Sequence, residues 1–122
     1  MSQNWGPQCV VPSPLRRTYR GTITLCESLD RDLLRQNLVA LEMPTDVVSI
    51  NNSWYYRRSN SENWLGIGES DDSDNGFPVT WDTSLLPNGR YEVIGLMRVV
   101  TKEGITERTI AHPNFTEVVI KN

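Results

Sequence analysis

From Asp46 to the C-terminus, β-branched and aromatic residues come in short runs, and turn residues cut each run at roughly the 8–12-residue spacing of an all-β domain. Residues 47–57 carry Val47, Val48, Ile50, Trp54, Tyr55 and Tyr56, and 63–68 centre on Trp64, Leu65 and Ile67. Residues 77–81 make another short run, 90–101 the longest, and 105–111 and 115–121 the last two. Between them lie the polar loop 69–76, the Pro87-Asn88-Gly89 turn, the Lys102-Glu103-Gly104 hairpin turn and an interruption at His112-Pro113-Asn114. The second of these has a mechanism, because proline fixes φ and Asn-Gly supplies positive φ. Short strands at turn spacing predict an all-β fold of two packed antiparallel sheets.

The N-terminal part is different. Pro7, Pro12 and Pro14 forbid a helix, so residues 1–17 read as an extended arm, with 8–11 able to form a short edge strand. From Tyr19 to Cys26 the chain alternates, with Tyr19, Gly21, Ile23 and Leu25 on one side and Arg20, Thr22 and Thr24 on the other, which predicts one half-buried strand. In 28–43 the leucines 29, 33, 34, 38 and 41 recur at helical spacing. Ser28 is placed to cap, Asp30 and Asp32 fall in the first turn and Pro44 ends the run, which predicts a short helix over a rival strand at 37–43. The expected organisation is an arm, 1–17, and one domain, 18–122.

A chain of 122 residues buries a real core without a metal or a disulfide framework. The net charge of −3, with acids and bases mixed, lacks the concentrated basic field that nucleic-acid binding needs, and Arg16, Arg17 and Arg20 are too few to supply it. No apolar run is long enough to span a bilayer. Residues 1–8 lack a signal peptide's basic and apolar regions, so the expectation is synthesis in the cytosol without export by the general pathway. Cys9 and Cys26 match no zinc or redox spacing. Two reduced, partly buried thiols are expected; the alternative is a bridge tying the arm to the first firm strand.

The stretch Trp81-Asp82-Thr83-Ser84-Leu85-Leu86-Pro87-Asn88-Gly89-Arg90-Tyr91 resembles the Trp-Asp-Thr…Gly-x-Tyr signature of bacterial immunoglobulin-like domains. Gly21-Thr22-Ile23-Thr24-Leu25 is similar to an early strand of that family, and Val118-Val119-Ile120-Lys121-Asn122 to its last. The resemblance covers 77–122 well and 18–67 loosely. It implies an immunoglobulin-like β-sandwich with Trp81 and Tyr91 as structural core, the Tyr91 hydroxyl returning to backbone in the manner of a tyrosine corner. Family members commonly occur as tandem modules of large secreted proteins, whereas the expectation here is a lone domain without a signal. Thr101 stands where the family often carries an Asp, so no family-type calcium site carries over.

Little in the sequence suggests chemistry. The one histidine, His112, is followed by proline at a strand interruption, and no phosphate-cradling glycine loop occurs, so no catalytic residue, cofactor or enzymatic activity is expected. Asp71, Ser73, Asn75, Gly76 and Asp82 echo a calcium loop, but strand-like flanks, Pro78 and the short last carboxylate favour a solvated acidic turn, and no metal is expected.

Apolar surface is the more informative signal. A strand with Tyr91, Val93, Gly95, Met97 and Val99 inward carries Ile94, Leu96 and Val100 on its other face, to be covered by the 28–43 helix or by a partner. Trp5, Val10 and Val11 in the arm, and Arg57 and Arg58 beside the aromatic run, complete the expected partner-binding set. The function expected is a non-enzymatic structural or interaction module. By resemblance of architecture it is a bacteriophage capsid decoration, or cement, protein on the virion surface, made in the host cytoplasm, with the major capsid protein as partner. Self-association is left open, and neither nucleic acid nor membrane is expected as a partner. The alternative is a carbohydrate- or cell-surface-binding module of a larger secreted bacterial protein.

Overall fold

The computed structural model describes residues 9–10, 17–27 and 29–122. Among the described residues eight strands and one α-helix follow in the order β1 (Cys9–Val10), β2 (Arg17–Tyr19), β3 (Thr22–Leu25), α1 (Arg31–Ala40), β4 (Val47–Arg58), β5 (Leu65–Ser70), β6 (Val79–Asp82), β7 (Gly89–Glu103) and β8 (Thr106–Ile120). They form a three-stranded sheet, β1-β3-β6, and a five-stranded sheet, β2-β8-β7-β4-β5. Each sheet is mixed rather than antiparallel throughout, because β1 lies parallel to β3 and β2 parallel to β8.

The chain changes sheets at Gly21. The single strand expected over 19–26 is broken there: Gly21 has φ +67°, a conformation glycine adopts without penalty, and it passes the chain from the large sheet to the small one. The turn is held by Thr83, whose N–H and Oγ1 both donate to the Gly21 carbonyl, at 2.9 and 2.6 Å. Asn122 completes the clasp: its Oδ1 accepts from the Gly21 N–H and its amide donates to the Thr83 carbonyl.

The main core lies between the sheets. Ile23 and Leu25 of β3 and Trp81 of β6 meet Trp54, Tyr91, Val93, Val118 and Ile120 of the large sheet, all of them buried. Full burial of side chains of this size stabilises by about 1.5–3 kcal/mol each, which makes this layer the chief source of stability. A second cluster, Phe77, Met97 and Val99, packs against Leu29, Leu34, Val47, Ile50 and Ile110.

Helix α1 confirms the helical spacing with different ends. Asp30 is the N-cap, its side chain accepting from the Leu33 N–H at 3.0 Å. Ser28, expected to cap, lies outside the described residues. The helix stops before Pro44, where Glu42 takes φ +55° while Met43 N–H donates to Leu38 O and Glu42 N–H to Val39 O. That paired bonding satisfies the last carbonyls without proline.

Strand β8 corrects another expectation. It runs unbroken through His112-Pro113-Asn114, in continuous register with β7. Among the described residues its other side pairs only at 118–120, so Pro113 occupies an edge, where a missing N–H is tolerated. Of the arm, only Cys9, Val10 and Arg17 are described. Cys9 and Val10 form the edge strand that was expected around 8–11.

Candidate functional site on the outer face of the large sheet

Strand alternation along β7 holds as expected. Tyr91, Val93, Gly95, Met97 and Val99 are buried, whereas Ile94, Leu96 and Val100 are half-buried on the opposite face. Helix α1 does not cover that face. Through Leu34 it packs instead on the Met97–Val99 cluster, the inner side. The reason lies in its sequence: Leu34 and Leu38 turn inward, while Leu33, Val39 and Leu41 remain exposed.

Cross-strand register assembles the outer face. Ile94 stands between Tyr55 of β4 and Phe115 of β8, and Leu96 between Ser53 and Pro113. Phe115 is 54% exposed, a large apolar side chain given to solvent. Trp64, just before β5, folds over this face, so that its ring centroid lies 5.9 Å from that of Phe115, although β7 and β4 separate β8 from β5. The Arg57 guanidinium sits 4.4 Å from the Trp64 ring centroid, and its Nε donates to Glu92 Oε1 at 2.7 Å. A cation over an indole contributes about 0.5–1 kcal/mol at exposed sites, so this arrangement fixes the Trp64 ring more than it stabilises the fold.

The two arginines part company. Arg57 joins the outer face, but Arg58, one residue on, points the other way. It donates to the Asn88 carbonyl at 3.2 Å and lies 5.6 Å from the Tyr91 ring, closing the end of the core. Trp54 and Tyr56 likewise belong to the core and Tyr55 to the outer face. Trp5 and Val11 lie outside the described residues, and Val10 is described only as a backbone pair of Leu25.

Trp81 and Tyr91 are core residues, 4% and 2% exposed, and the Tyr91 hydroxyl donates to the Pro87 carbonyl at 2.7 Å. Cys26 is buried and disulfide-bonded, which corrects the expectation of two reduced thiols. The chain's other cysteine, Cys9, is in β1, beside β3.

In the acidic loop a single 3-10 turn spans Ser73–Asn75. Arg31 donates to Ser73 Oγ at 2.9 Å and lies 3.8 Å from the Asp74 carboxylate, while Asn75 donates to Asp72. Among the described residues no three His, Cys, Asp or Glu side chains gather as metal ligands. His112 is exposed on β8. No helix among the described residues is long and apolar enough to cross a membrane.

No protein-family model matches this chain, and no curated protein matches it.

Cross-strand register places Ile94, Leu96 and Arg57 on one face with Phe115 and Trp64, two residues outside the expected partner-binding set. The period-two signal assigns a face within one strand, whereas the Trp64–Phe115 contact depends on which strands are neighbours.

Proposed function

We propose that this chain is a non-enzymatic, immunoglobulin-like interaction module that engages a protein partner through the outer face of its five-stranded sheet. Its most specific form is a decoration protein that clamps neighbouring capsid subunits on a bacteriophage virion. The observation that carries the reading is the face its own helix leaves uncovered, where Ile94, Leu96 and Phe115 adjoin an arginine-braced Trp64. Rigid aromatic and arginine side chains around an apolar centre suit an interface hot spot. Two sheets around a core holding Trp81 and Tyr91 support the immunoglobulin-like assignment.

The test is binding to undecorated capsid shells with the double variant Ile94→Lys, Leu96→Glu. Loss of binding at unchanged thermal stability is expected. A variant that binds as well as the parent would rule out this face. Finding a gene for a capsid protein beside this one would support the virion setting.

A second reading, carbohydrate binding, is favoured by the Trp64–Phe115 ring pair next to Tyr55, which offers a stacking platform. Fluorescence titration with soluble oligosaccharides separates the two: saturable quenching that disappears in Trp64→Ala favours the sugar.

A further inference from the structure

Glu27 follows β3 and enters the core at the seam between the two apolar clusters. The residue is 4% exposed, and its backbone N–H is fixed to the Gly76 carbonyl at 2.8 Å. Its Oε1 accepts from the Asn114 side-chain amide of β8. Its Oε2 is buried without a hydrogen-bond partner, and so are both side-chain polar atoms of Asn52 on β4, a residue with no exposure at all. Oε2 and Asn52 line the same space over Gly95 of β7: a Cβ there would stand 2.8 Å from Oε2 and 3.0 Å from the Asn52 nitrogen. Glycine at 95 is what makes room for the carboxyl.

Among the described residues the groups facing Glu27 are all uncharged: Asn52 and Trp54 from β4, Gly95 from β7, Asn114 from β8 and Gly76 from the acidic loop. His112 shares the Asn114 side of β8 but is exposed, and Arg98 belongs to the outer face of β7, where it donates to Ser53. No ion pair reaches Glu27 among the described residues. A carboxylate in such a place is an uncompensated buried charge. A neutral carboxyl offers both a donor and an acceptor, and Asn52 has one of each unmet.

We propose that Glu27 is a proton-operated latch between the two sheets. Protonated, it closes the Glu27–Asn52–Asn114 cluster and seats the end of β3 on the large sheet. Ionised, it loosens that seam, together with the Cys26 anchor beside it. Burial pushes the carboxyl up from 4.5 to about 7, in agreement with this geometry. Because the folded value lies above the unfolded one, the stabilisation is complete below about 4.5 and is lost as pH rises through about 7.

Thermal unfolding of the intact, oxidised chain tests the latch. Between about pH 5 and about pH 8 the parent is expected to lose roughly 5–10 °C in Tm, and Glu27→Gln to show a flat profile. A flat parent profile, or a Gln variant with the parent's slope, would overturn the proposal. A direct NMR titration of the Glu27 carboxyl in the parent keeps the test open if the variant does not fold: a midpoint near 7 supports the latch, and one near 4.5 refutes it.

Discussion

The indole N–H of Trp54 donates to the carbonyl of Phe77 at 3.1 Å, and through that bond the two apolar clusters are joined. Phe77 takes φ +53° as the chain leaves the acidic loop. A non-glycine residue in that region carries strain of about 1–3 kcal/mol, which the buried ring and the indole bond offset. Trp54→Phe keeps a ring in place but leaves the Phe77 carbonyl without this donor. A loss of about 2–4 kcal/mol in urea unfolding is expected, combining the orphaned acceptor with a partial cavity.

Trp81 is central to the inter-sheet layer, with Tyr56 and Tyr91 ring centroids 5.1 and 6.4 Å away. Trp81→Ala should cost roughly 3–5 kcal/mol, as large aromatic truncations do. Urea denaturation measures it, and a cost below about 1 kcal/mol would mean that the layer is not the main core.

The Tyr91 hydroxyl isolates a smaller effect. Tyr91→Phe preserves the buried ring and removes only the bond to Pro87. A loss of about 0.5–1.5 kcal/mol is expected, seen as a lower denaturant midpoint at constant slope.

For Gly21 the prediction concerns backbone alone. A Cβ there meets nothing within 4 Å, so Gly21→Ala brings no clash, only the cost of a positive φ. About 1–2 kcal/mol of destabilisation is expected in thermal melts. A neutral or stabilising substitution would show that the sheet-to-sheet turn relaxes freely.

Calcium is expected to bind the acidic loop weakly or not at all, because Arg31 already lies against Ser73 and Asp74. Calorimetric titration checks this, and a site tighter than about 10⁻⁵ M would contradict it.

What the sequence made legible was whatever is local. Alternation in 91–99 assigned inner and outer faces correctly, and leucine spacing located α1, because both depend on the geometry of one element. The sequence did not show where elements meet. The turn at Gly21 looked like one more inward-facing strand position, since a glycine satisfies either pattern. Pro113 was read as a break because its tolerance depends on being at a sheet edge, a property of the neighbouring strand and not of the proline. Helix α1 carries apolar residues both inward and outward, so the side of the sheet it covers was open until Leu34 was seen against the Met97–Val99 cluster. Glu27 was missed because nothing in its flanking residues announces a buried acid. Its surroundings come from Asn52, Gly95 and Asn114, all distant in sequence.

The parallel pairing of β2 with the end of β8 has a mechanical consequence. Arg17, Thr18 and Tyr19 lie beside Val118, Val119 and Ile120, running in the same direction. Tension applied to the chain upstream of Arg17 and downstream of Ile120 therefore pulls the two strands past each other along their length. Their hydrogen bonds are loaded together in shear, where an antiparallel pair pulled from one end would open one bond at a time. The domain should resist stretching between these points more strongly than its equilibrium stability suggests, and single-molecule extension through them should show a force peak that Tyr19→Pro, which removes the N–H of a residue whose carbonyl accepts from the Lys121 N–H, lowers.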